Sequence, residues 1–314
     1  MHILHLDENH PLLLEMLEKA GFQNSIDYSS TKEEICAKLA AYDGIIIRSR
    51  FPVDADFLRH GTRLKFIGRV GAGVENIDLN YAQKLGIQLF AAPLGNSNAV
   101  GEHALGMLLG LTNKLFLAHQ SIQNGKWQRE AHRGVELEGK TVGIIGYGNM
   151  GKSFAKKLYG FDVKEVIFYD ILPLEKDKYA RPVSLESLQQ SADIISLHTP
   201  QTALTQKMIN GPFFEKMKNP FWLINTARGS AVVTSDLVRA LKSGKVLGAA
   251  LDVLEYEKSS FENLFEASEE NADMEYLLKA PNVLLSPHVA GWSKESHQKL
   301  AQIIAQKIIA AFGN

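Results

Sequence analysis

The stretch TVGIIGYGNMGKSFAKKL, Thr141–Leu158, sets three glycines between an apolar run and an amphipathic one, and it constrains the fold of this chain more than any other segment. A short apolar run followed by a helical pattern reads as strand, turn and helix. The spacing of Gly146, Gly148 and Gly151 suits that turn. At Gly146 the chain must bend tightly, at Gly148 the backbone must be approachable, and at Gly151 the helix must lie close to the strand; a side chain obstructs all three. The helix opening near Asn149 and Met150 presents free N–H groups and a partial positive charge, the setting for a phosphate. Nineteen residues past Gly151 the next apolar run, VIFYD, ends in Asp170. A carboxylate there accepts hydrogen bonds from both hydroxyls of an adenosine ribose and repels a 2′-phosphate, and no arginine follows immediately to reverse that preference. Strand, glycine turn, helix and acid in register predict a Rossmann unit that binds NAD, with Gly146, Gly148, Asn149, Met150 and Gly151 under its pyrophosphate.

The same alternation of short apolar runs and helical patterns covers the rest of the chain, so the fold class is α/β with doubly wound parallel sheets. A first block runs from the strand HILHLD to the strand IQLFAA and ends near Pro93. Next comes SNAVGEHALGMLLGLTNKLFLAHQSIQNGKW, read as one helix capped by Ser97 or Asn98 and apolar over more than half of its circumference, hence buried on two sides. The second block places strands at TVGIIG, VIFYD, ADIISLH, FWLINT and VLGAALDV, and a final amphipathic helix runs from about Ser293 to Phe312. Thirty-four basic against thirty-five acidic residues leave a net charge of -1, which favours neither nucleic acid nor an anionic membrane and leaves small molecules as the default partners. One cysteine, Cys36, excludes an internal disulfide and a cysteine-rich metal site and reads as a packed thiol. With no basic leader and no long apolar span at the N-terminus, a soluble cytoplasmic protein without a metal is the expectation.

Chemistry-bearing residues stand where apolar strands end. INTARGS carries Arg228, LGAALDVLEYE carries Asp252, Glu255 and Glu257, and NVLLSPHVAGW carries His288. Singly, each is an ordinary surface charge or a satisfied histidine. Jointly, at the carboxyl ends of parallel strands where ligands bind, they supply an anion clamp, a partner that sets a pKa and a proton donor, the parts needed to reduce a 2-oxo acid.

The motifs RVGAGVENID, NSNAVGEHALG, GIIGYGNMG, LHTP, NTARG, LDV and PHVAG follow one another as they do in the NAD-dependent D-2-hydroxyacid dehydrogenases, which this sequence resembles over nearly its whole length. The resemblance implies that Arg228 binds and polarises the substrate, that His288 is the acid/base, and that Glu257, selected over Glu255 by its spacing from Asp252, pairs with that histidine. It places Asp252 against the nicotinamide and Thr199, Pro200 and Thr226 along the cofactor cleft. It implies a flavodoxin-like substrate domain, residues 1–96 plus 290–314, a Rossmann domain, residues 97–289, an active site between them, and a homodimer formed through the helix following Asn98. Two departures stand out: Lys258 where the family usually has proline, and a long segment from 258 to 280.

Backbone N–H groups around Ala72 and Gly73 in VGAGV are candidates for the second carboxylate oxygen. IIIRSR puts Arg48, Ser49 and Arg50 at one strand end, and IGRVGAG puts Arg69 at the next. Several guanidinium groups facing an already charged carboxylate suggest a second anion, most simply a phosphate. The RSR stretch resembles that of the D-3-phosphoglycerate dehydrogenase branch, which makes 3-phosphoglycerate and serine biosynthesis the leading expectation, without the regulatory C-terminal domain of longer members. Glyoxylate, hydroxypyruvate or D-lactate is the alternative substrate, and a non-catalytic NADH-sensing, corepressor-like protein the alternative class.

Overall fold

The computed structural model describes residues 1–257 and 271–313. They fall into two compact units, residues 1–96 with those from Trp292 onward, and Ser97–Gly291.

The first unit alternates β1 (His2–His5), α1 (Leu12–Lys19), β2 (Gln23–Ile26), α2 (Lys32–Lys38), β3 (Gly44–Ile47), α3 (Ala55–His60), β4 (Phe66–Arg69), α4 (Leu79–Lys84) and β5 (Gln88–Ala91). All pairings are parallel, in the flavodoxin-like order β2-β1-β3-β4-β5. The central strand β3 is GIII, buried throughout, because both faces of the sheet are covered. Ile35, Leu39, Phe57 and Leu58 pack on one side. On the other, Leu13 and Leu17 meet Leu300, Ile304 and Ile308 of the C-terminal helix, Lys294–Phe312. Ser293 caps that helix, its hydroxyl accepting from the Ser296 N–H at 3.0 Å.

The second unit begins with α5 (Ser97–Thr112) and α6 (Leu115–Gln123), then β6 (Thr141–Ile145), α7 (Asn149–Leu158), β7 (Glu165–Tyr169), β8 (Arg181–Pro182), α8 (Leu185–Ser191), β9 (Ile194–Leu197), α9 (Gly211–Lys216), β10 (Phe221–Asn225), α10 (Thr234–Lys242), β11 (Val246–Leu251), α11 (Ala272–Lys279) and β12 (Val283–Leu285); the C-terminal helix is α12. Its parallel sheet runs β12-β11-β10-β9-β6-β7-β8, a Rossmann order with a seventh strand added beyond the sixth. The apolar stretch after Asn96 is two helices, not one. The chain turns left-handed at Lys114, φ 52°, where Val135 N–H donates to the Thr112 carbonyl at 3.0 Å and closes the end of α5. The apolar faces of α5 are used within this unit: Ala104, Met107 and Leu108 pack with Phe154, Ala155 and Leu158 of α7.

The register of this sheet positions the site. Tyr169, Ile145, Leu197, Asn225, Leu251 and Leu285 are paired in succession across six strands, so these strands end level. Whatever follows that row stands along one edge, where parallel strands present ligand sites.

Two buried histidines make the fold acid-sensitive. Burial holds His5 down to about 4, against a hydrogen bond to Asn24 that favours the proton. Burial alone holds His198 down to about 3. The unfolded chain takes up both protons from about 6.5 downward while the folded chain does not, so this contribution to stability is whole above that pH and is lost as the pH falls toward about 4 for His5 and about 3 for His198. Thermal melts between about pH 7 and 4.5 should show that slope. His198→Gln should flatten it; an unchanged slope would remove His198 as its source.

Candidate active site

The glycine turn follows β6 directly. Gly146 has φ 91°, and a Cβ there would stand 2.8 Å from the His198 carbonyl oxygen, so only glycine serves. A Cβ on Gly151 would meet the Gly146 carbonyl oxygen at 2.3 Å, which is how α7 comes close to its strand. Gly148 differs. No protein atom lies within 4 Å of the place its Cβ would occupy, so the protein itself leaves room there for a ligand. Gly148 also caps α7 with no side-chain acceptor, leaving the amides of the first turn around Asn149 and Met150 for an anion.

Tyr147, between the first two glycines, is buried and stacked on Phe168 with ring centroids 3.9 Å apart. Its hydroxyl donates to Asp177 at 3.0 Å, and burial together with that carboxylate raises its pKa well above the usual phenol range. Its backbone N–H donates to Asp170 Oδ2 at 2.7 Å, and Leu172 N–H donates to Oδ1 at 2.9 Å, so Asp170 is braced with one acceptor direction remaining on each oxygen. Ile171, 69% exposed, and Leu172 stand beside it. The glycine pattern gave no sign of these two large exposed apolar residues immediately after the acid.

Thr199 and Pro200 follow β9, and Thr226 follows β10. The hydroxyl oxygens of Thr199 and Thr226 are buried with no hydrogen-bond partner among the described residues. Buried polar groups are almost always paired. Two orphaned hydroxyls on one sheet edge, together with the open ground at Gly148 and the uncapped start of α7, fit a dinucleotide along it.

Arg228 closes the turn after β10. Asn225, fully buried, braces this turn by accepting from the Ala227 N–H and donating to the Arg228 carbonyl, both at 3.0 Å. One guanidinium nitrogen of Arg228 donates to the Ala227 carbonyl at 2.7 Å. Gly229 backs onto the next turn so closely that a Cβ would lie 1.8 Å from the Leu254 carbonyl oxygen, which sets the Arg228 turn against the one that carries Glu257.

Glu255 and Glu257 point to different tasks. Glu255 accepts from the Thr234 N–H at 2.8 Å and so serves the start of α10. Glu257 lies 2.7 Å from His288 Nδ1 through one oxygen and accepts from the Leu254 N–H through the other. Lys258 and the segment through 270 lie outside the described residues. His288 itself is left-handed, φ 55°, an uncommon conformation for a residue with a side chain. Asp252, 1% exposed, holds that corner: its carbonyl accepts from the His288 N–H at 2.8 Å, and its carboxylate accepts from Val289 and Ala290 N–H at 2.9 and 2.8 Å. The aspartate expected against the nicotinamide is thus tied to the histidine turn. With Nδ1 on Glu257, the proton that His288 can transfer is the one on Nε2.

In the first unit, Arg48, Ser49 and Arg50 follow β3. Arg50 donates to the carbonyls of Leu6 and Asp27, at 2.9 and 2.7 Å, and to that of Ser30. Arg48 has its guanidinium 4.1 Å above the Trp292 ring, and burial lowers its pKa against the pull of Asp7. Its guanidinium has no hydrogen-bond acceptor among the described residues, whereas Arg69 donates to the Val70 carbonyl at 3.2 Å. The N–H groups of Ala72 and Gly73 likewise donate to no acceptor among the described residues. No group of three or more histidine, cysteine or acidic side chains gathers as a metal site among those residues, and none of their helices is long and apolar enough to cross a membrane.

Residues 105–290 match the D-isomer specific 2-hydroxyacid dehydrogenase, NAD binding domain, family. The chain is 35% identical over 298 residues to a D-3-phosphoglycerate dehydrogenase of Archaeoglobus fulgidus, covering 94% of this chain and 54% of that one, so it spans about half of that relative's length. It is 34% identical to a hydroxypyruvate reductase of Thermotoga maritima over 90% of this chain and 89% of the other. Among solved structures, a D-lactate dehydrogenase from Aquifex aeolicus, complexed with NAD and lactic acid, superposes with a TM-score of 0.84 at 28% identity, covering 99% of this chain and 95% of that one.

Proposed function

Because this chain belongs to the NAD-dependent D-2-hydroxyacid dehydrogenase family, we propose that it interconverts a D-2-hydroxy acid and its 2-oxo acid, most simply 3-phosphoglycerate and 3-phosphohydroxypyruvate. The observation that carries the reaction is the 2.7 Å pair of Glu257 and His288 on a braced left-handed corner. Gly146–Gly151, Asp170, Thr199, Pro200 and Thr226 would hold the nicotinamide cofactor, which would supply or receive the hydride. The protein's share is the proton and the anion. His288 Nε2 gives its proton to the C2 oxygen during reduction and takes it back during oxidation, and Glu257 stabilises the imidazolium and fixes the ring. Arg228 holds the carboxylate beside the C2 oxygen.

The phosphate is assigned to Arg48. Its guanidinium has no acceptor among the described residues, while three backbone carbonyls engage Arg50. An unphosphorylated substrate, hydroxypyruvate, glyoxylate or D-lactate, needs no second cation and is the reading to which Arg50's engagement lends weight. Homodimerisation is part of the proposal, with α6 as its ground: Leu115, Phe116 and Ile122 are more than half exposed there, and Trp127 just beyond it is 80% exposed.

A steady-state panel of these 2-oxo acids with NADH and NADPH tests the function. Turnover should be greatest with phosphohydroxypyruvate and NADH, and Asp170→Ala should weaken NADH and narrow its advantage over NADPH, since ribose acceptors and the repulsion of a 2′-phosphate go together. Preference for NADPH in the unaltered protein would overturn the cofactor choice. Absent turnover with every substrate, but tight NADH binding, would favour a sensor.

A further inference from the structure

His103, in the middle of α5, has no part in the chemistry above, yet its Nε2 lies 3.0 Å from Ser286 Oγ and 3.6 Å from the Asp252 carboxylate. Ser286 in turn donates to Asp252 Oδ1 at 2.5 Å. A hydroxyl has one proton; with that proton on Asp252, the serine oxygen is left to accept, so His103 Nε2 must be the donor. Asp252 thereby gathers the Ser286 hydroxyl, the His288, Val289 and Ala290 N–H groups, and, at one remove, a side chain from a helix 183 residues away in sequence from Ser286.

We propose that His103 is a positioning residue which, through Ser286 and Asp252, holds His288 in the left-handed corner that presents its ring to Glu257. A left-handed residue with a side chain persists only where its surroundings determine it, and among the described residues these include one buried carboxylate and the groups that aim it. The other atom within reach of the Ser286 hydroxyl is Met107 Sδ at 3.9 Å, a weak acceptor. Without the His103 donor, the serine is free to rotate between the carboxylate and that sulfur. The carboxylate then loses its fixed orientation, and the turn with it.

The inference rests on the dehydrogenase reading for its effect on rate but not for its effect on the turn, and the experiment separates the two. Amide hydrogen exchange of Val289 and Ala290 is measured in the substrate-free protein, and kcat and the KM for NADH are measured alongside. His103→Leu should speed exchange at these two amides by about tenfold or more. It should lower kcat by roughly 10- to 100-fold, as small misplacements of a reacting group do, with the KM for NADH changed by less than about threefold. His103→Gln, whose amide nitrogen can reproduce the Nε2 donor, should restore both. Ser286→Ala should behave as His103→Leu does and serves where that variant does not fold. Unchanged exchange at Val289 and Ala290 in a folded His103→Leu protein overturns the proposal, and so does a glutamine variant as impaired as leucine. Faster exchange in a protein that turns over no 2-oxo acid would sustain the positioning of the turn and discard the dehydrogenase reading alone.

Discussion

Replacing His288 by alanine should lower kcat for 2-oxo acid reduction by roughly 10²- to 10⁴-fold, the usual loss when a positioned general acid is removed. NADH binding should be nearly unchanged, because the glycine turn, Asp170 and the two threonine hydroxyls are untouched. Alanine also has to sit at φ 55°, which is uncomfortable for an L side chain, so His288→Asn is the proper companion: asparagine tolerates that region and cannot act as the acid. Both variants should be equally slow. If asparagine retained near-normal kcat, the histidine would matter for the backbone corner and not for the proton. Steady-state rates paired with fluorescence titration of NADH read both quantities.

The second large effect separates the two arginines of the RSR stretch. Arg48→Ala should raise the KM for phosphohydroxypyruvate by roughly tenfold to 150-fold, equivalent to a charge-assisted hydrogen bond of ~1.5 to 3 kcal/mol, while glyoxylate and hydroxypyruvate change little. Arg50→Ala should act otherwise. It strips donors from the carbonyls of Leu6, Asp27 and Ser30 and should lower the melting temperature without discriminating between substrate classes. Equal losses for both classes in Arg48→Ala would mean that this residue clamps the shared carboxylate or is structural, and phosphoglycerate would give way to a smaller acid.

Much of the fold could be read in advance because parallel strands buried on both faces announce themselves as apolar runs, and because chemistry-bearing residues follow directly on their ends. Gly146 and Asp170 come directly after β6 and β7, and Arg228 and His288 stand three residues past β10 and β12, positions that the apolar runs mark out. What escaped depended on partners distant in sequence. Nothing near Glu255 says that its carboxylate belongs to the start of α10, twenty-one residues upstream, yet that contact separates it from Glu257. The break at Lys114 is made by Val135, which closes the end of α5 from beyond the next helix. The edge strand β8 is an Arg-Pro pair without an apolar run, held by its register with Ile167 and Phe168. His103 lies within an apolar helical pattern, and only the fold brings it to Ser286.

The level row formed by Tyr169, Ile145, Leu197, Asn225, Leu251 and Leu285 divides the second unit into regions of unequal tolerance to change in length. Connections that enter the strands from below, such as the turn at Gly244 between α10 and β11, can gain or lose residues while the reactive edge stays where it is. A residue deleted within β11 is another matter. It would draw Asp252 back by one strand step, about 3.3 Å, and turn it to the opposite face of the sheet. The aspartate would leave the histidine turn and the glutamate its histidine, although no residue of the site had itself been altered. The placement of these residues is thus set by strand length as firmly as by residue identity.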